Sequence, residues 1–195
     1  PASSPIILAS ASPRRRELLA GLGVEFTVVA AQVTEHEDPA TDPRVMVAHN
    51  AALKADWVAA RHPDALVIGA DTTVFLDGHA LNKPADLAEA RAMLRRLSGR
   101  THTVFTGIAV RRGRDGLRRD AGVATDVTFR ELTPEVIEDY LRRVQVLDKA
   151  GAYAVQEIGD AFVVRLKGDY NNVVGFPVEK VRRLLARCAI DHQRA

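Results

Sequence analysis

Leu66-Val67-Ile68-Gly69-Ala70-Asp71-Thr72-Thr73-Val74-Phe75-Leu76-Asp77-Gly78 is the stretch on which the reading of the fold turns. Its first five residues form an apolar run of strand length, as a strand buried on both faces requires. The run resumes at Val74-Phe75-Leu76 and stops at Asp77-Gly78, a two-residue hairpin signal when it separates apolar segments. Upstream, Ile6 to Ala9 reads as a short buried strand. Ser12 then offers an N-cap and Pro13 an N1 proline, Leu18, Leu19 and Leu22 make a stripe, and Gly21 and Gly23 are stops. Val24 to Val33 is expected as a second strand, and Pro43 opens a helix to about Arg61 with Val47, Ala51 and Val58 on one side.

Downstream, Asp86 to Leu97 is expected as a helix that ends near Ser98-Gly99. His102 to Phe129 reads as a long hairpin around a polar tip from Arg111 to Arg119, with those arginines facing solvent. Thr133-Pro134 starts another helix, a second hairpin is expected around Ile158-Gly159-Asp160, and Pro177 opens the last helix. Helical crossovers followed by hairpins predict an α/β fold: a mixed, partly antiparallel sheet with flanking helices. With 195 residues and neither repeat nor linker, the chain reads as one folding unit spanning 1–195.

Composition narrows the class of function. The chain is 47% hydrophobic and 27% charged, the balance of a globular protein. No apolar run approaches the roughly 20 residues needed to span a bilayer, and Ile6 to Ala9 is too short for a signal peptide. The single cysteine, Cys188, excludes an internal disulfide and suits a cytoplasmic setting. Of 27 basic residues, 22 are arginine, which favours forked contacts to phosphate, although the net charge is only +2. Aromatic residues make up only 5%, which leaves few platforms for stacking nucleic-acid bases.

Three clusters could carry chemistry. Ser10-Ala11-Ser12-Pro13-Arg14-Arg15 lies between a strand and a helix, where free N–H groups and the helix dipole attract anions. The ordinary alternative is a capped helix with solvated arginines. Asp71 follows a buried strand, where carboxylates commonly face a cleft. A two-residue turn at Asp77-Gly78 would set Thr72 opposite Lys83, with Asp71 on the other face unless the ladder ends there. Glu35-His36-Glu37-Asp38 offers oxygen ligands for a hard cation, with Glu37 and Asp38 read as a solvated loop. Asn50 and Lys54 share a helix face. No P-loop, Gly-x-Ser-x-Gly elbow or zinc spacing is present.

Taken together, these stretches resemble the Maf family of nucleoside triphosphate pyrophosphatases, over nearly the whole chain. The matching segments are Leu8 to Arg15, Ile68 to Thr72, Lys83-Pro84, Leu97-Ser98-Gly99 with His102, Thr106-Gly107, Asp148 to Tyr153 with Gln156, and Asn172 to Pro177. The resemblance implies a Maf/inosine-triphosphatase-like domain with two lobes around a cleft. It implies hydrolysis between the α and β phosphates with a divalent cation, magnesium or manganese, and a homodimer. Asp71 matches the proton acceptor for the attacking water, and also a metal position with Glu35. Ser12, Arg14, Arg15, Lys54 and Lys83 match positions that line the phosphate site, with Arg15 the expected phosphate clamp.

One branch of the family acts on dTTP and UTP. Another tends to carry Trp, Gln and Glu at the positions of Arg14, Thr72 and Gln156, and this chain has the first branch's residues at all three. It departs from the family pattern at Val144 to Leu147, Asn82 and Ala154, which flank the matched polar residues. The readings carried alongside are a broad clean-up enzyme for non-standard nucleotides and a division-regulating protein that binds nucleic acid through the Arg111–Arg119 tip. An aspartate alone is a weak base for water, so a metal is expected to share the activation.

Overall fold

The computed structural model describes residues 4–38 and 40–194, and of residues 189–194 the backbone only. Its centre is one strand, β3 (Leu66–Leu76), all but the Asp77-Gly78 turn of the segment that opened the sequence reading. β5 (Thr101–Arg112) runs antiparallel along one edge of β3, pairing from Val67 to Phe75. The other edge is shared by two short strands. β1 (Ile6–Leu8) pairs in parallel with residues 66–68, and β4 (His79–Leu81) pairs antiparallel with residues 74–76. Gly69 to Thr73 therefore carries a strand on one side only among the described residues, and the sheet is notched there. β2 (Phe26–Val28) adds to β1, and β6 (Leu117–Phe129) and β7 (Val163–Lys167) extend the far side, giving the order β2-β1-β3-β5-β6-β7.

Alternation along β3 decides which groups line that notch. Val67 and Gly69 face α2 (Pro43–Ala59), packing with Ala51, Ala55 and Val58, all fully buried. Helix and sheet approach so closely that a Cβ on Gly69 would lie 2.3 Å from the Ala51 carbonyl oxygen. Leu66, Ile68 and Ala70 face the other way, into a core with Leu19 of α1 (Pro13–Ala20) and Val181 and Leu184 of α7 (Val178–Arg194). The far half of the sheet covers a third core. Leu76, Leu81 and Phe129 there meet α3 (Leu87–Leu97) and α4 (Pro134–Arg143). By parity, Asp71 must point toward α2, and Thr72 toward α1.

The hairpin forms as expected, with Leu76 opposite His79 and with Asp77 (φ 53°) and Gly78 (φ 79°) both left-handed, as a type I′ turn demands. Its ladder ends at Val74–Leu81, so Asn82 and Lys83 are released from strand alternation.

Three expectations are corrected. The strand expected over Val24–Val33 is limited to Phe26–Val28, because β1 offers only three residues to pair with. No hairpin forms at Gly159. Instead α5 (Val155–Phe162) turns there, burying Val155, Ile158 and Phe162 at helical spacing, and β7 pairs across to β6. The arginine run is solvated at Arg114, Arg118 and Arg119, as expected, but not at Arg111 and Arg112. The turn itself is 113–116, and Arg111 and Arg112 are 2% and 3% exposed. Arg111 reaches Asp56 at 2.8 Å and Asp120 at 2.7 Å, and Arg112 reaches Asp115 at 2.7 Å. A short helix not foreseen, α6 (Tyr170–Val174), is capped by the Asp169 carboxylate and ends at Gly175 in the left-handed region (φ 118°).

Candidate active site

The loop before α1 serves both purposes weighed from sequence. The Ser12 hydroxyl caps the helix by accepting from the Arg15 N–H at 3.4 Å. Arg15 then turns inward. Its Nε donates to the Gly175 carbonyl at 3.0 Å, Nη1 to the Ala70 carbonyl at 3.0 Å and to Ser10 Oγ at 3.4 Å, and Nη2 to Thr72 Oγ1 at 3.0 Å. A guanidinium has five N–H groups, so four are already committed. Arg15 is thus a pin within the protein, with one N–H left for a ligand. Burial draws the Arg15 pKa below its ordinary value, against the opposing charges of Asp71 and Glu35. Thr72 is equally engaged, with Arg15 on one side, Thr106 Oγ1 at 2.9 Å and the Gly175 carbonyl at 3.3 Å.

On the opposite face of the notch, Asp71 meets α2 as its parity requires. Lys54 Nζ lies 2.9 Å from Asp71 Oδ1 and 2.9 Å from Glu35 Oε2, bridging the two carboxylates. Four residues earlier on the same helix face, Asn50 donates to Asp71 Oδ2 at 3.3 Å and to the His36 carbonyl at 2.9 Å, and accepts from the His36 N–H at 2.8 Å. Asn50 thus ties the loop that carries Glu35 to the strand that carries Asp71. Its i, i+4 spacing from Lys54 was the sequence signal for this role. Burial works to raise the Glu35 pKa, but the Lys54 charge and hydrogen bond, helped by Lys83, bring it below its ordinary value. Glu37 and Asp38 are exposed, in keeping with a solvated loop.

A cleft of about 730 Å³ opens over the notch, and Ser12, Arg14, Arg15, Glu35, Lys54, Asp71, Thr72, Lys83 and Gln156 all line it. Every site residue named from sequence is therefore in one place. Arg14 and Lys83 make no hydrogen bond or ion pair among the described residues, so their charges are available to a ligand. Asp148, Lys149, Tyr153 and Ala154 form the far wall with Gln156.

Among the described residues no three His, Cys, Asp or Glu side chains gather as a metal cluster. Glu35 and Asp71 nonetheless lie side by side, with Lys54 Nζ filling the point between them. Two carboxylates are a sufficient protein share for magnesium, which fills its remaining positions with phosphate oxygens and water. Chemically, the cleft sets Asp71 and Glu35 beside the cationic side chains of Arg14, Arg15, Lys54 and Lys83, an arrangement suited to a polyanion that is attacked by water.

A family model described as Maf-like protein matches residues 5–188 of this chain. The chain is 49% identical over 181 residues to a dTTP/UTP pyrophosphatase of Akkermansia muciniphila, covering 93% of this chain and 95% of the relative. It is 48% identical to the protein of that name in Moorella thermoacetica (96% and 97% covered) and 50% identical to that in Deinococcus radiodurans (95% and 94% covered). A solved structure titled as a HAM1 protein from Coxiella burnetii superposes with a TM-score of 0.47 and 18% identity, over 65% of this chain and 73% of that one.

Proposed function

The chain belongs to the Maf family, and we propose that it is a nucleoside triphosphate pyrophosphatase that hydrolyses dTTP and UTP to the monophosphate and pyrophosphate. One observation carries the reading: Asp71, at the notch of the sheet, shares a single cleft with Arg14, Arg15, Lys54 and Lys83. A triphosphate brings several negative charges, and this cleft supplies matching positive ones around a base.

In this reading Asp71 accepts the proton of the water that attacks the α phosphorus. Lys54, 2.9 Å away, holds that carboxylate in place. Arg14 and Lys83 take the β and γ phosphates and neutralise charge as pyrophosphate leaves. Arg15 adds its one remaining N–H and holds the loop in shape. Ser12 offers its hydroxyl at the helix start. Glu35 and Asp71 would hold a magnesium or manganese ion, which when bound lowers the pKa of water and shields phosphate charge. Gln156, and Arg14 in part, read the pyrimidine, with Thr72 acting through Arg15.

The same reading takes residues 1–195 as one domain of two lobes, working as a homodimer in the cytoplasm on nucleotides and not on nucleic acid. It is supported by burial of Arg111 and Arg112 in ion pairs, and no described helix is long and apolar enough to cross a membrane.

The decisive experiment follows monophosphate and pyrophosphate separately across a panel of nucleoside triphosphates with magnesium. Equal amounts of both, fastest from dTTP and UTP, are expected; orthophosphate alone would overturn α–β cleavage. Asp71→Asn should bind nucleotide yet lose turnover by a factor of at least about 10², the low end for a positioned acid–base group. Full activity in that variant would reject Asp71 as the base.

A further inference from the structure

The far wall of the cleft is held by more than its own backbone hydrogen bonds, which run from the Ala152 N–H to the Lys149 carbonyl at 3.1 Å and from the Glu157 N–H to the Ala154 carbonyl at 3.0 Å. α5 begins at Ala154, which has no side chain to cap it. The preceding turn passes through Gly151 (φ 70°) and Ala152 (φ 59°), and a left-handed alanine costs about 1 kcal/mol. Two buried hydrogen bonds from outside the segment also hold it. His102 Nε2, on β5, lies 2.8 Å from the Tyr153 hydroxyl. The Tyr140 hydroxyl, on α4, accepts from the Ala154 N–H at 3.1 Å.

Both anchors stand in a continuous aromatic cluster. His102 meets Phe129 edge to face at 4.8 Å, Phe129 meets Tyr153 at 4.9 Å, and Tyr140 meets Phe162, at the end of α5, at 5.0 Å. His102 is 2% exposed, and its Nδ1 is buried without a hydrogen-bond partner. A buried, half-satisfied imidazole is a costly choice for a position that only needs filling. An apolar ring would serve packing alone as well. What the imidazole adds is the bond to Tyr153, three residues before Gln156.

We propose that His102 and Tyr140 are positioning residues for nucleobase selection: through Tyr153 and Ala154 they fix where α5 starts, and so where Gln156 points into the cleft. The proposal rests on the reading of Gln156 as the base reader. It differs from a purely structural role in what it makes these residues govern, namely preference between substrates rather than stability alone.

The test measures kcat and KM for dTTP and dGTP in the intact enzyme and in His102→Phe, His102→Gln, Tyr140→Phe and Gln156→Glu. A neutral hydrogen bond is worth about 1 kcal/mol, or about fivefold. His102→Phe and Tyr140→Phe should each cut the dTTP-to-dGTP ratio of kcat/KM by about fivefold, chiefly through KM for dTTP. His102→Gln, whose amide nitrogen can stand where Nε2 stood, should restore the ratio. If His102→Phe does not fold, Tyr140→Phe, which removes a single oxygen, carries the test. An unchanged ratio in the folded variants, with thermal stability lowered and both substrates affected alike, would overturn the positioning role. Gln156→Glu decides the underlying reading separately: if it leaves the ranking unchanged, the base-reader assignment fails on its own account.

Discussion

Arg15→Lys separates an internal pin from a phosphate clamp. The wild-type guanidinium spans three elements, tying α1 to the Ala70 carbonyl and Thr72 of β3 and to Gly175 at the end of α6. Three of its bonds are 3.0 Å long and diverge from different nitrogens. A lysine keeps the charge but brings one nitrogen on a single stem, so it can satisfy one corner of that fork. Two bonds from a charged donor are lost, each worth about 1.5–3 kcal/mol. The site borders the cleft, so water recovers part of that sum, and a loss near the lower bound, about 3 kcal/mol, is expected. In a chain of this size that lowers Tm by about 6–12 °C. Urea unfolding of the substrate-free enzyme, with unchanged m value, measures it directly. A clamp would behave in the opposite way: the free enzyme would keep its stability within about 0.5 kcal/mol while KM for dTTP rose steeply. That pair of results would refute the donor count as a guide to function.

The other consequences concern the opposite face of the notch. Gly69→Ala would set a Cβ 2.3 Å from the Ala51 carbonyl and 2.8 Å from Ala55 Cβ, forcing α2 outward. A loss of at least about 3 kcal/mol is expected, as for severe overpacking, with lowered activity in the folded fraction because α2 carries Asn50 and Lys54. A cost below about 1 kcal/mol would show that the helix is free to shift. Lys54→Met bears on pH. The Glu35 pKa lies below its ordinary value through Lys54, so its stabilisation is present above that value and lost as pH falls below it. Without Lys54, burial dominates and raises the Glu35 pKa, so the variant gains relative stability as pH falls. The gap in unfolding free energy between parent and Lys54→Met should therefore narrow from pH 7 toward pH 4. A gap that is constant or widens would remove Lys54 as the cause.

The fold was legible where local chemistry and tertiary pairing agree. Ser12-Pro13, Asp77-Gly78 and Asp86 specify caps and a turn through their own side chains and backbone preferences, and each stands where the sequence puts it. Val24–Val33 failed because strand length depends on the partner, and β1 contributes three residues. Gly159 failed for a related reason. A glycine between apolar residues signals a hairpin or a kink equally well, and only the 155, 158, 162 spacing discriminates. Arg111 and Arg112 misled because an arginine run is usually solvated, whereas Asp56, Asp115 and Asp120, from α2 and from the turn and strand that follow, reach over these two and pair with their buried guanidinium groups.

The candidate site was legible as a set of residues and less so as a division of labour. Sequence order brings Arg14 and Arg15 together and cannot say which faces the cleft unpartnered; the helix geometry sends Arg15 inward and leaves Arg14 available. Thr72 illustrates the consequence. Its hydroxyl is taken up by Arg15, Thr106 and Gly175. A larger amide at this position would take the Arg15 Nη2 bond elsewhere and turn the whole loop, Arg14 included. Substrate choice and phosphate grip then depend on one hydrogen-bonded unit. On the proposed reading, that coupling accounts for Arg14 and Thr72 lying with Arg15, while Gln156 lies on the far wall of the cleft. It also sets the order of effects: changes at Thr72 should alter KM for every triphosphate, whereas changes at Gln156 should alter the preference among them.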